Sequence, residues 1–157
     1  MSVPVAVTPL PPSIAKVLDR FRAMGRDEKM QALLGFARTL EPLPERFQAL
    51  DRAPFTVPEC QTRVDLFPEF KDGRLWFYVD LDVRQSPTIA AFLSILLKAI
   101  NDQPPTVALA IPDDFVSQMM SGIGLAARET GLAAMVQRIK RHARDASNAS
   151  VPAKLTA

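Results

Sequence analysis

The sequence holds one cysteine, Cys60, and one histidine, His142, among 157 residues. Cys60 is the side chain best suited to covalent chemistry, because a thiolate is a strong nucleophile. Its neighbours are polar or turn-forming: Pro58, Glu59, Gln61 and Thr62. They indicate a polar loop, although a lone cysteine is more often a small buried apolar residue. A reactive thiol and a packed one therefore both stay open on these residues alone.

The same inventory excludes several classes of site. One cysteine allows no internal disulfide, no zinc ribbon and no cysteine-ligated iron–sulfur cluster, since each needs several ligands. The sequence has no glycine-rich phosphate loop, and we predict no cofactor. A cysteine peroxidase or hydrolase would need a resolving cysteine or a nearby base. We predict that His142 is solvated on a basic helix face and forms no dyad with Cys60.

The charge balance argues against nucleic acid as the main partner. The formal net charge is only +2, from 19 basic and 17 acidic residues. Basic residues cluster only late in the chain, at Arg138, Lys140, Arg141 and Arg144. This run is too short to predict a nucleic-acid interface.

Nothing in the sequence predicts a membrane protein. The most apolar stretch, Thr88 to Leu97, is shorter than the roughly 20 residues that span a bilayer. Residues 1–12 lack the basic start and apolar centre of a secretory signal. We therefore expect a cytoplasmic protein with no membrane partner.

Hydrophobic periodicity predicts helices on both sides of one hairpin. Helices are predicted from Ser13 to before Gly25, from about Asp27 to Leu40, from Pro87 to Ile100, from Asp113 to Met120 and from Glu129 to Arg144. Strands are predicted over Thr62–Phe70 and Arg74–Asp82. The predicted fold class is α+β, with helices packed on a small antiparallel sheet that contains the central hairpin. Residues 1–12 are predicted to form a flexible proline-rich arm, 13–144 one domain and 145–157 a disordered tail.

The hairpin gives the cysteine a predicted neighbourhood. Antiparallel pairing about a turn near Asp72 puts Cys60 opposite roughly residue 84. Arg84 and Arg63 would favour a thiolate there, whereas Glu59 and Asp82 would oppose it. The direction of the shift in the Cys60 pKa therefore stays open. On the same hairpin, Trp76 and Tyr78 are predicted to be buried under a helix.

Several segments resemble one known family, in the family's order. Val57-Pro58-Glu59-Cys60-Gln61-Thr62-Arg63-Val64 resembles the cysteine loop of the SufE/CsdE family of sulfur acceptors. The other matching segments are Leu40-Glu41-Pro42-Leu43-Pro44, Asp72-Gly73-Arg74-Leu75, the helix from Ile89 to Ile100, and Arg128 followed by Gly131-Leu132-Ala133-Ala134-Met135-Val136. The resemblance covers roughly Ser13 to Arg144 and depends on the order and spacing of these pieces.

The resemblance implies a function for Cys60. In the family, the cysteine accepts sulfur from the persulfide of a pyridoxal-phosphate (PLP) cysteine desulfurase of the SufS-like type. It passes that sulfur to an iron–sulfur scaffold complex, and docking stimulates the desulfurase. We predict that Cys60 is this carrier, that the protein is not an enzyme by itself, and that Gln61 and Thr62 orient the sulfur by hydrogen bonds. Arg128 matches a family position, and we predict that it assists the partner or the loop.

The chain also departs from the family pattern. Glu59 replaces the family's glycine before the cysteine, and Ala91 replaces a glycine in the long apolar helix. Arg84-Gln85 stands where the family often has Ser-Asp, and Ile123 falls near a family histidine. These departures predict a divergent member. They also keep an alternative open, a regulatory or docking partner of a desulfurase that carries no sulfur, in which Cys60→Ser would bind and regulate normally.

Overall fold

The computed structural model describes residues 10–60, 62–120 and 126–149. Its elements in chain order are α1 (Pro12–Arg22), α2 (Arg26–Ala37), α3 (Glu45–Gln48), a 3-10 turn (Ala53–Phe55), β1 (Asp65–Lys71), β2 (Arg74–Asp80), α4 (Pro87–Ile100), α5 (Pro105–Leu109), α6 (Phe115–Met120) and α7 (Ala126–Ala149). The described part of the chain is thus α+β with one two-stranded antiparallel sheet, as predicted. It contains no helix with both the length and the apolar character needed to cross a membrane.

Helix α4 is the centre of the core. Ser86 precedes it and Pro87 is its first residue, as the sequence predicts, because proline suits the first helical position. Lys98 is the exposed residue of this helix, and the residues from Ile89 to Leu97 are all buried. Helices α1 and α2 pack on it, and so does β2. A helix that is apolar on nearly every side is stable only when it is covered in this way.

The hairpin has a tight turn of the kind that fits the twist of its strands. Asp65 pairs with Asp80 at the open end and Lys71 with Arg74 at the closed end. The two turn residues, Asp72 and Gly73, have φ values of 54° and 76°. Two consecutive positive φ angles are what a type I′ turn requires. The alternation predicted for β2 is confirmed, since its apolar residues Leu75, Phe77 and Val79 are buried.

The outer face of the hairpin is covered by the segment that follows α2. Phe47 of α3 lies 5.0 Å from the ring of Tyr78 and 5.3 Å from that of Phe67. Tyr78 therefore packs against a short helix, but both Tyr78 and Trp76 are half-buried, so the predicted burial of this pair is only partial. This second cluster fixes the hairpin from the side opposite α4.

Some predicted boundaries were wrong, and one helix was missed. Helix α1 begins at Pro12 within the predicted arm, and the Ser13 hydroxyl donates to the carbonyl of Ala99 at 2.7 Å instead of capping its own helix. Helix α5 was not predicted; Pro105 is its first residue and Pro104 precedes it as the N-cap, and proline is favoured where helices begin. Helix α7 continues past Arg144 to Ala149, so residues 145–149 do not belong to a tail. Residues 1–9 and 150–157 lie outside the described ranges.

Candidate functional site

Cys60 lies in a loop that closes on itself before β1 begins. Thr56 pairs with Asp65 as an isolated antiparallel bridge, and the amide of Val57 donates to the carbonyl of Val64 at 2.9 Å. Inside this closed base, the amide of Cys60 donates to the carbonyl of Val57 at 3.3 Å. The predicted start of the strand at Thr62 was therefore wrong, because residues before Asp65 pair within the loop.

A buried carboxylate holds the base of this loop. Asp65 is only 1% exposed. Its carboxylate accepts hydrogen bonds from Thr56 Oγ1 at 2.5 Å, Arg52 Nη1 at 3.2 Å and Arg63 Nε at 3.2 Å. A buried carboxylate needs such partners to offset its desolvation. Sequence reasoning missed Asp65, although an acidic residue in an apolar strand next to an arginine was the available signal.

The sulfur of Cys60 rests against helix α7. The side chain is half-buried, and Sγ lies 3.9 Å from the carbonyl oxygen of Gly131. A Cβ atom at position 131 would lie 3.2 Å from Sγ and 3.6 Å from both Cys60 Cα and the Glu59 carbonyl oxygen. Glycine is thus the residue that lets the loop approach the helix this closely. A glycine inside a helical pattern usually has a packing reason, so Gly131 was the available sequence signal for this contact.

The position of the thiol sets the direction of its pKa shift. Burial raises the pKa of Cys60 above its ordinary value, and the charge of Glu59 raises it further. The predicted opposition of Cys60 to residue 84 was wrong, because the chain leaves the β-ladder at Asp65. Arg63 Nε instead donates a hydrogen bond to the Asp65 carboxylate. Arg84 lies in a separate turn, where its own backbone amide donates to the Asp82 carboxylate. Burial and the charge of Glu59 therefore both disfavour the thiolate of Cys60.

The other predicted site residues differ in their exposure and in their contacts. Glu59 is exposed beside Cys60. Thr62 is half-buried, but its hydroxyl accepts a hydrogen bond from Ser86 Oγ at 2.8 Å, which ties the loop to the start of α4. Arg128 lies in α7 one turn before Gly131, and its side chain is outside the described part of the structure. Gln61 also lies outside the described residues.

The histidine is half-buried rather than solvated on a basic helix face, contrary to prediction. Its Nε2 atom is shielded from solvent and has no hydrogen-bond partner among the described residues, and its ring centroid lies 6.2 Å from that of Phe77. Burial lowers the pKa of His142, and the charges of Arg141 and Arg138 lower it further. At 1.5 Å per residue, His142 is about 16 Å along α7 from Gly131, so it forms no dyad with Cys60. Among the described residues, no group of His, Cys, Asp and Glu could hold a metal ion.

Comparison with known proteins places this site in context. The family model for SufE, an Fe-S metabolism associated domain, matches residues 15–143. Uncharacterized SufE-like proteins from two Mycobacterium tuberculosis strains are each 35% identical over 145 residues, covering 87% of this chain and 95% of theirs. A SufE-like protein from Synechocystis is 26% identical over 108 residues, covering 68% of this chain and 64% of its own. The solution structure of a hypothetical protein from Thermus thermophilus has the same fold, with a TM-score of 0.75 and 23% identity, over 89% of this chain and 99% of its own.

Proposed function

The chain belongs to the SufE family, whose domain is associated with Fe–S metabolism, and on that basis we propose that Cys60 carries sulfur as a persulfide between two proteins. The observation that supports this best is the setting of the lone cysteine, half-buried in a closed loop whose base is anchored by Asp65. The proposed donor is a PLP cysteine desulfurase of the SufS-like type. The proposed recipient is an iron–sulfur scaffold complex.

The transfer is a thiol–persulfide exchange. The Cys60 thiolate attacks the outer sulfur of the donor's persulfide, and a new S–S bond forms as the bond between the donor's two sulfurs breaks. The donor cysteine leaves as a thiolate and takes up the proton that Cys60 released. The product is a persulfide on Cys60, with no net oxidation or reduction of the pair. The same exchange then passes the outer sulfur to the recipient.

The resting geometry requires the loop to move before transfer. While Cys60 is seated on Gly131, its raised pKa disfavours the thiolate that the exchange needs. Leaving the seat removes the burial that is the larger cause of that shift. The closed base, anchored by Asp65 and Thr62, keeps the loop ends in place while its tip swings out. We assign Gln61 to orienting the exposed sulfur and Arg128 to contacting the docked partner.

A second function is supported by Glu59. Glu59 occupies the position where the family has glycine, next to Cys60, and its charge raises the pKa of the Cys60 thiol. A chain that docks on a desulfurase and regulates it, without accepting sulfur, would tolerate this arrangement. The two functions differ in whether Cys60 is needed.

Intact-protein mass spectrometry tests the proposal. Reduced protein is incubated with a cysteine desulfurase, its pyridoxal phosphate and free cysteine. A mass gain of one sulfur atom that is removed by reductant and absent in Cys60→Ser supports the carrier function. No gain despite measured binding, together with stimulation of the desulfurase by Cys60→Ser, supports the regulatory function instead.

A further inference from the structure

A row of arginines runs along α7 from the point where Cys60 is seated. We call it the arginine face: Arg138, Arg141 and Arg144, which line a shallow cavity of about 260 Å³ with Glu59, Ala134 and Gln137. The three arginines recur at intervals of three residues, so they share one side of α7. Along the helix, the face begins about 10 Å from Gly131 and ends about 20 Å from it. The reactive loop therefore lies at one end of a basic strip.

The arginine face is a charged surface with little internal compensation. Arg138 donates to the carbonyl of Pro54 at 3.4 Å. Within the described residues, neither Arg141 nor Arg144 makes a hydrogen bond or ion pair, and both are exposed. Glu59 is the acidic side chain among those that line the cavity, and it belongs to the cysteine loop itself. Unpaired positive charge on one face favours a partner that supplies negative charge.

We propose that the arginine face docks an acidic segment of the sulfur-donating protein, and that this segment displaces Glu59 and lifts Cys60 from Gly131. This inference rests on the proposed function for the identity of the occupant. Carboxylates of the incoming segment would lie beside Arg141 and Arg144 and repel the carboxylate of Glu59. Because Glu59 and Cys60 are adjacent, moving one moves the other. Docking and exposure of the thiol are then one event.

A protein segment fits this face better than a nucleic acid does. The strip holds few cations, the chain carries a net charge of only +2, and Glu59 stands at the end nearest Cys60. Phosphate-tracking surfaces carry many basic residues and exclude acidic ones. The closeness of the face to the one thiol also links it to the protein that delivers sulfur.

The first test compares two doubly charge-reversed variants. Arg141→Glu with Arg144→Glu alters the face. Lys16→Glu in α1 with Arg38→Glu after α2 makes the same change in net charge at exposed positions outside α7. Loading of Cys60 is measured against donor concentration with the desulfurase that loads the wild-type chain. We expect the arginine-face variant to need about tenfold more donor, which corresponds to about 1.4 kcal/mol. The control variant should match wild type, and wild-type loading should weaken as salt rises.

Glutathione persulfide, which loads Cys60 without docking, should load all three proteins equally. Equal donor dependence for wild type and the arginine-face variant would overturn the inference. So would binding of an RNA oligonucleotide to wild type that the variant loses while its donor dependence is unchanged. If no desulfurase loads the wild-type protein, the proposed function is overturned, and so is the proposal that a sulfur donor occupies the arginine face.

A second test needs no desulfurase and so separates the two proposals. Poly-L-glutamate at low salt should increase the rate of iodoacetamide alkylation of Cys60 severalfold in wild type and leave the arginine-face variant unchanged. Poly-L-lysine serves as the control and should have no effect. No acceleration of wild type by poly-L-glutamate would overturn the displacement of Glu59, whatever the sulfur-transfer assays show.

Discussion

The sulfur of Cys60 packs on Gly131, a residue of α7 that has no side chain, and lies 3.9 Å from its carbonyl oxygen. A Cβ atom on residue 131 would lie 3.2 Å from the Cys60 sulfur, closer than such atoms ordinarily approach. The contact keeps the thiol half-buried, and this burial raises the pKa of Cys60. The size of residue 131 therefore controls how deeply the sulfur is seated.

Gly131→Ala should make Cys60 more reactive without unfolding the protein. The added methyl group forces the Cys60 side chain from its rotamer at a cost of about 0.5–1.5 kcal/mol. That cost shifts the loop outward and should raise the alkylation rate about two- to tenfold. The greater helix propensity of alanine offsets part of the lost stability, by up to about 1 kcal/mol. Alkylation by iodoacetamide, followed by mass spectrometry, measures the rate.

Gly35→Ala is the matched control for this substitution. Gly35 is an exposed residue inside α2, and nothing lies within 4 Å of a Cβ built there. Its replacement should stabilise the protein by about 0.5–1 kcal/mol with no change in Cys60 alkylation. Equal alkylation rates for Gly131→Ala and wild type would show that the seat does not control access to the sulfur.

Glu59→Gln should lower the pKa of Cys60. The carboxylate disfavours the thiolate, so its removal makes ionisation easier, and the alkylation rate should rise at lower pH than in wild type. Burial is the larger cause of the raised pKa and is unchanged, so the pKa should stay above its ordinary value. Alkylation rates measured across pH give the shift. Glu28→Gln, at an exposed position in α2, should leave the profile where it is, and an identical profile for Glu59→Gln would contradict the electrostatic role.

Asp65→Asn should loosen the loop from its base. The amide cannot accept all three hydrogen bonds that the carboxylate receives from Thr56, Arg52 and Arg63. We expect a loss of about 1–3 kcal/mol in the free energy of unfolding, because the side chain is buried, and faster alkylation of Cys60. Urea unfolding measures the first effect. Asp19→Asn, whose carboxylate is exposed, should change stability by less than about 0.5 kcal/mol, and a similarly small effect for Asp65→Asn would argue against the anchor.

His142 should make stability fall in mild acid. Burial lowers its pKa in the folded protein, so below about pH 6.5, the ordinary histidine value, the unfolded chain binds a proton before the folded chain does. Stability should therefore be flat with respect to this group above that pH and should decline as pH falls below it. Arg138 and Arg141 act in the same direction, and Asp145 opposes them.

Urea midpoints measured at several pH values test this linkage. The variant His142→Leu keeps an apolar group against Phe77 and removes the titration, so its midpoint should vary less between pH 7.5 and 5.5 than that of wild type. Parallel pH dependence in the two proteins would assign the acid sensitivity to other groups.

Much of the fold followed from local pattern. The period-two alternation of β2, the glycine in its turn and the apolar run of α4 predicted the hairpin and the buried helix correctly. These features depend on residues near one another in the chain, where backbone geometry and side-chain period decide the structure. Element ends were harder, as at Pro104 and Arg144, because they depend on capping and packing.

The candidate nucleophile was also available from the sequence, since residue type and a polar loop setting marked Cys60, although they left a packed thiol equally open. The burial of the Cys60 thiol and the direction of its pKa shift could not be predicted from its sequence neighbours. Three contacts explain this, and each is between residues that are distant in sequence or lie across a turn. They are the contacts of Cys60 with Gly131, of Asp65 with Thr56 and of His142 with Phe77. Desolvation and contact distance depend on which surfaces meet, so they arise only when α7 packs beside the loop and the hairpin. Local sequence thus identified the candidate sulfur, and tertiary packing decided its burial and its neighbours.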